Sequence, residues 1–399
     1  MGQCNLKAVP GQGQLRLCVE GRIDSASAGR FGDAVKAARA QHPAGRIVFD
    51  CKGLEYVSSA GLRVFLSLKK REKEPIRLVN VSQSVHEILD VTGFSQLLDV
   101  SREIREISPQ DCKFIGRSHN ISLYQMPDDT IMKVYPEGAS LDAIERERAN
   151  ARMALLNGIP TLIAYDVVSY EGNYGLLYER LKLDTVSSAL ENAPWKLEKY
   201  AAEMGKLLRA VHSAEPEPGA LPKTSGILEG WAHDMEKRLN QGEIEALLRL
   251  IRAVPEAGTV VYGNYQEHNV FIQQDELLLV NMANLSCGNP VHDLGAACML
   301  HVLEAERFAR TFSRMDAIQL NKIWRVMLRA YFDTDDDKLL EGREQIVRAA
   351  ALLRLALYPA STALSREDEE RFAALARRDV FPAAEKLGEL LAEARFHEA

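Results

Sequence analysis

The chain has 399 residues, of which 46% are hydrophobic and 26% charged, with a formal net charge of −7. At roughly 150 residues per domain this is too long for one ordinary core and implies a globular protein of two or three domains. The balance argues against a nucleic-acid surface, which needs clustered Lys and Arg, and against a membrane span, which needs an apolar run of roughly 20 residues. The opening Met1-Gly2-Gln3-Cys4-Asn5-Leu6-Lys7 has no apolar signal-peptide core, so a cytoplasmic location is expected. Cys4, Cys18, Cys51, Cys112, Cys287 and Cys298 are scattered without a C-x-x-C pair and are expected to be buried reduced thiols.

In chain order, Leu15, Leu17 and Val19 fall on every second residue, as on a half-buried strand. Phe31, Val35 and Ala38 have helical spacing, and Arg46 to Asp50 is a short apolar run suited to a central strand. A second strand, Ile76 to Asn80, precedes a helix from Ser84 to Leu89, with Ser84 its expected cap. This is the βαβ rhythm of an open α/β sheet. The charged stretch Ser101 to Asp111, with Ser108-Pro109 near its end, reads as a hinge, which divides the chain into residues 1–107 and 108–399. Beyond it come strands to about Tyr135, a helix from Asp142 to Leu156, strands to Tyr178, and long helices such as Leu197 to His212 and Met315 to Phe332. A strand-rich small lobe over about 112–180 and a helical large lobe over about 181–399 give an α+β bilobal domain.

In Asp50-Cys51-Lys52-Gly53-Leu54-Glu55-Tyr56-Val57-Ser58-Ser59-Ala60-Gly61-Leu62, a tight connection around Gly53 leads to two serines at the start of a helix with apolar positions Leu62, Phe65 and Leu66. Capping alone accounts for serines there. The segment also resembles the phosphorylation motif of anti-sigma-factor antagonists, a STAS-domain family, on the alignment of Gly61-Leu62. Val19 to Asp24 and Val91-Thr92-Gly93-Phe94 resemble two further marks of that family. The resemblance spans roughly residues 12–105 and places the phosphoacceptor at Ser59, with Ser58 as the alternative. It implies a partner at the STAS surface, an anti-sigma factor or related protein kinase, released when the serine is phosphorylated. Ser58 stands where many members carry Asp.

The second part resembles the aminoglycoside phosphotransferase and choline-kinase-like superfamily, whose fold is that of protein kinases. Ile115-Gly116-Arg117-Ser118 with Leu123-Tyr124 matches its nucleotide-covering turn, Lys133 interrupts an apolar strand, and Glu147 follows in a helix. Leu176 to Arg180, with Glu179, matches the hinge against adenine. The resemblance therefore implies nucleotide binding, ATP or another nucleotide, at Gly116, Lys133, Glu147 and Glu179. Val260-Val261-Tyr262-Gly263-Asn264-Tyr265-Gln266-Glu267-His268-Asn269 has the shape of the catalytic loop, with Asn264 in place of the base Asp and Tyr262 in place of the His. Asn269 keeps a metal-ligand position, and Asn281 replaces the principal metal-binding Asp. Asp293 is retained and expected to be structural.

A neutral amide cannot accept the acceptor's proton, and losing a general base typically costs roughly 10²- to 10⁴-fold. Magnesium prefers carboxylates, so the ion is expected to be weakly held or absent. The leading expectation is a regulatory protein in which a partner-switching module is joined to a pseudokinase domain holding a small ligand or partner. The alternatives are an active phosphotransferase, acting on a small hydroxyl compound or on Ser59 of the same chain, and a scaffold without a ligand. His268 and His292 read as loop histidines beside the cleft. Trp324, Met327 and Tyr331 are expected to pack the large lobe, which together with Tyr262 stands where it can close an acceptor pocket.

Overall fold

A computed structural model of the chain describes residues 4–11, 14–42, 45–72, 74–118, 120–180, 184–311, 315–362 and 364–396. Residues 1–3, part of the stretch inspected for a leader, lie outside them. The chain divides into two compact units, Met1–Glu106 and Ile107–Ala399.

In the first unit, strands β1 (Asn5–Gly11), β2 (Gln14–Ile23), β3 (Arg46–Val57), β4 (Arg77–Val81) and β5 (Asp99–Arg102) form a sheet in that order. β1 runs antiparallel to β2, and the remaining neighbours are parallel. Parallel pairs need crossovers, which α1 (Ala28–Gln41), α2 (Ser59–Lys69) and α3 (Gln83–Val91) supply, with α4 (Phe94–Leu97) a single turn before β5. The apolar residues read from periodicity meet in one core: Leu15, Leu17 and Val19 of β2, Phe31, Val35 and Ala38 of α1, and Leu62 and Phe65 of α2. At its centre Phe49 and Phe65 meet edge to face with centroids 5.1 Å apart, and Phe31 lies 5.6 Å from Phe65.

Three local expectations need correction. Gly53 lies inside β3, which runs on to Val57, and it is required because a Cβ there would come within 2.7 Å of the Glu20 side chain on the neighbouring strand. The N-cap position of α3 is held by Ser82, not Ser84, and its side chain makes no capping bond. The stretch read as a hinge forms two short strands, β5 and β6 (Arg105–Ile107), followed by a 3₁₀ turn at Pro109–Asp111.

The second unit opens on strands that neighbour one another in the order β10 (Ala164–Tyr170), β11 (Asn173–Tyr178), β9 (Ile131–Val134), β8 (Ile121–Gln125), β7 (Lys113–Ser118), with α5 (Leu141–Leu156) between β9 and β10. Its large lobe contains α6 (Val186–Asn192), α7 (Leu197–His212), α8 (Thr224–Asp234) and α9 (Gln241–Ala253). Two small β pairs follow, β12 (Thr259–Val261) with β15 (Ser286–Gly288), and β13 (Val270–Gln273) with β14 (Glu276–Leu279). The chain then runs through α10 (Val291–Cys298), a π-helical turn at Met299–Leu303, α11 (Ala305–Thr311), α12 (Ala317–Phe332), α13 (Asp337–Ser361), α14 (Arg366–Asp379) and α15 (Ala384–Ala392). Trp324, Met327 and Tyr331 of α12 are buried in the main core of this lobe. All six cysteines are free, but only Cys51 and Cys298 are buried. No helix of the described residues is long and apolar enough to cross a membrane.

Candidate functional site

Lys133 is the one charge in the buried strand Ile131-Met132-Lys133-Val134, and α5 brings Glu147 to it. Both are almost completely buried, and Lys133 Nζ donates to Glu147 Oε1 at 2.7 Å. The hydroxyls of Tyr135 and Tyr178 also donate to that carboxylate, at 2.7 and 2.9 Å. Burial, and then the carboxylate itself, push both phenols well above their ordinary range, which keeps them as donors. A buried pair satisfied in this way is rigid, and breaking one side of such a pair costs about 3–5 kcal/mol.

From Lys133 the polar contacts run across the cleft. Lys133 Nζ donates to Asn281 Oδ1 at 2.9 Å, Asn281 Nδ2 donates to Asn269 Oδ1 at 3.0 Å, and Asn269 Nδ2 donates to the Asn264 carbonyl at 2.9 Å. The direction is imposed by the ammonium, since turning the Asn281 amide over would set an NH₂ against an NH₃⁺. Asn281 itself has φ 61° and ψ 58°, the left-handed conformation that asparagine tolerates better than most side chains. Asn264 lies on the cavity wall, and its side-chain oxygen accepts from Gln266 at 3.2 Å.

The loop carrying these residues is held from behind. Asp293 accepts from the N–H of Tyr262 at 2.6 Å, from the N–H of Gly263 at 2.7 Å, and pairs with His212 Nε2 at 3.0 Å. Gly263 has φ +85°, and a Cβ there would meet the Asn284 carbonyl at 2.7 Å. The buried Tyr262 ring points its hydroxyl at the Val280 carbonyl and is not part of the cavity wall, so it does not close the pocket. Glu267 and His301 form a fully buried pair at 3.0 Å, with His301 Nδ1 on the Ala297 carbonyl at 2.8 Å. Burial opposes charge on both, but their mutual attraction prevails, holding His301 above and Glu267 below the ordinary values.

Around this chain of contacts lies a cavity of about 800 Å³. Lys133, Glu147, Asn264, Asn269, Asn281 and Asp293 all reach its wall. Gly116 and Glu179 do not: the cover of the cleft is Ile121 and Leu123, while the Glu179 carboxylate accepts from the Ile163 N–H at 2.8 Å and its own N–H donates to the Ile163 carbonyl. His268 and His292 line the cavity, the first within 3.2 Å of the Ser187 hydroxyl, the second pushed down to about 4 chiefly by burial. Among the described residues no cluster of three His, Cys, Asp or Glu could hold a metal, and the positions matched to metal ligands offer two neutral amide oxygens. That donor set is a poor fit for magnesium.

Three residues were missed in the sequence: Glu267 and His301 of the buried pair, and Arg354, which also lies on the cavity wall. The signal for Arg354 was there, a single charge in Ala349-Ala350-Ala351-Leu352-Leu353-Arg354-Leu355-Ala356-Leu357, of the same kind that singled out Lys133.

In the first unit the structure separates the two serines. Ser58 caps α2, its Oγ accepting from the Gly61 N–H, whereas Ser59 occupies the first helical position and is exposed. Gly61 packs so closely on Ile23 that a Cβ would lie 2.5 Å from its Cγ2, which explains the glycine of the motif.

Comparison with known proteins matches residues 8–99 to a family described as Mlab, STAS domain, and residues 116–328 to the phosphotransferase enzyme family. A putative anti-sigma factor antagonist, BtrV of Bordetella bronchiseptica, is 33% identical over 92 residues, which cover 22% of this chain and 78% of that protein. Among solved structures, a choline/ethanolamine kinase family protein from Mesorhizobium loti is similar at 13% identity and a TM-score of 0.47, over 70% of this chain and 92% of that one. An ADP-bound aminoglycoside phosphotransferase, APH(2'')-Ib, is similar at 14% identity and a TM-score of 0.44, over 77% of this chain and 98% of that one. The chain therefore belongs, through more than half of its length, to the phosphotransferase enzyme family, and carries at its N-terminal end a STAS domain of the anti-sigma-factor-antagonist kind.

Proposed function

We propose that this protein is a partner-switching regulator in which the STAS module answers to a kinase-fold domain that binds a nucleotide and transfers phosphate very slowly. The observation that carries this reading is the run of contacts from Lys133 through Asn281 and Asn269 to Asn264, in which the positions matched to the catalytic base and the principal metal ligand hold amides. Lys133 keeps its charge and its buried partner, so it remains a point cation for a phosphate. Among the described residues the site lacks a carboxylate free to act as base. Among the described residues the carboxylates on the cavity wall are Glu147 and Asp293, and both are fully engaged. On the STAS side, the exposed hydroxyl of Ser59 is the switch: a phosphoryl group there adds about −1.5 to −2 charges to the docking surface for an anti-sigma factor or related kinase.

The runner-up, an active phosphotransferase for a small hydroxyl compound, is favoured by one specific feature, the cavity that extends past the amides into the large lobe with room for an acceptor. Steady-state ATP turnover by the full chain with Mg²⁺ and with Mn²⁺, beside ATP titration by calorimetry, separates the two. Binding with turnover far below the ordinary kinase range of roughly 1–100 s⁻¹ is expected; turnover inside that range overturns the regulator reading.

A further inference from the structure

Beyond the amides, the cavity opens into an apolar chamber lined by Ile227 and Trp231 of α8 and Leu353, Leu357 and Tyr358 of α13. One cation, Arg354, stands among these side chains. Its guanidinium lies over the Trp231 ring, 4.4 Å from the centroid, and its Nη1 is buried without a hydrogen-bond partner. Among the described residues no carboxylate forms an ion pair with Arg354. The ring offers its face to the cation but leaves Nη1 unmet, and burial lowers the guanidinium to about 10. Arg354 is half-buried as a whole, but a buried donor atom without an acceptor is rare enough to call for a cause.

We propose that this chamber binds a small apolar molecule bearing one carboxylate, with Arg354 as its counter-ion and Trp231 beside its apolar body. A single guanidinium fork matches one carboxylate in charge and in geometry, whereas a phosphate dianion would ask for more than one cation. His292, another titratable side chain nearby, is neutral near pH 7, and Asp293 is held by backbone N–H groups and His212, so neither competes for that role. This deepens the reading of the cavity as a ligand site, and it does not depend on how fast phosphate is transferred.

The test uses the full chain and matched probes of one shape: 2-naphthoate, 2-naphthalenemethanol and 2-naphthylmethylamine, titrated by calorimetry and tryptophan fluorescence. The carboxylate should bind on the order of tenfold or more tighter than the alcohol, and the amine weakest. Arg354→Met should abolish the preference while the alcohol still binds. Arg354→Lys, which keeps the charge without the fork, should retain part of the preference. Carboxylate binding no tighter than alcohol, no binding of 2-naphthoate at millimolar concentration, or a preference unchanged in Arg354→Met would each overturn the proposal. ATP titrated in parallel tells the two readings apart: naphthoate binding without ATP binding sinks the nucleotide reading alone, and the converse sinks this one.

Discussion

At Asn264 and Asn281 the difference between an amide and a carboxylate is one full charge in nearly the same volume. The double change Asn264→Asp with Asn281→Asp should therefore leave the fold intact and make ATP binding magnesium-dependent before it raises turnover. A carboxylate at position 281 would meet Lys133 and offer a metal a charged oxygen, while one at position 264 would return a proton acceptor. Calorimetric titration of ATP with and without Mg²⁺ checks this; an absence of any magnesium dependence in the double variant would mean that these positions are not the metal and base positions. Ser59 gives a second prediction on this scale. Ser59→Asp should weaken binding to the anti-sigma partner and Ser59→Ala should preserve it, measured by pull-down or calorimetry. Ser58→Ala should instead cost stability, about 0.5–2 kcal/mol, through the lost cap of α2. Phosphopeptides modified at Ser58 alone would reverse the assignment. The residues that can be read in advance are those whose type clashes with their surroundings or whose motif has a fixed spacing, such as Lys133 in an apolar strand. Gly116 and Glu179 were read from position in a motif alone, and the three-dimensional path of the strands takes them off the cavity wall.

Among the elements, the π-helical turn at Met299–Leu303 has the clearest consequence, because it sets His301 against Glu267 of the amide-bearing loop. Its pH dependence has two limbs. His301 is raised above its ordinary 6.5, so its contribution is full below that value and is lost as pH rises through the folded one. Glu267 is lowered from 4.5, so its share is present above 4.5 and is lost only as pH falls below that. His292, pushed down to about 4, acts oppositely to His301: stability drops as pH falls from 6.5 towards 4, by on the order of 3 kcal/mol in full. Urea unfolding followed from pH 4.5 to 8.5 should thus show an acid limb that flattens in His292→Asn and an alkaline limb that flattens in His301→Gln; limbs unmoved by those changes would refute the assignment. No periodicity announces such a pair, since the partners lie 34 positions apart and a π turn sets their register. Strand alternation in β2 and helical spacing in α1 and α12 were legible because one face of each is buried against a core. Gly53 was not, because its reason is the neighbouring strand rather than its own neighbours in sequence.

On the scale of the whole chain, two units with separate cores should unfold in two steps. Trp195, Trp231 and Trp324, the protein's three tryptophans, all lie in the second unit, so their fluorescence reports it alone, while far-UV dichroism reports both. ATP at about 100 times its dissociation constant should stabilise the fluorescence transition by about 2.7 kcal/mol. A single transition common to both probes would show instead that the units melt as one. Within the second unit, Lys133 and Asn281 are 148 positions apart and belong to different lobes, yet they are joined by one hydrogen bond across the cleft. On the reading proposed above, a nucleotide phosphate arriving at the ammonium would compete with the Asn281 amide for it and loosen the join between the lobes. Asn281→Ala should then change the rate of nucleotide association as well as the affinity, read by stopped-flow mixing; an unchanged association rate would show that the bond does not bear on entry.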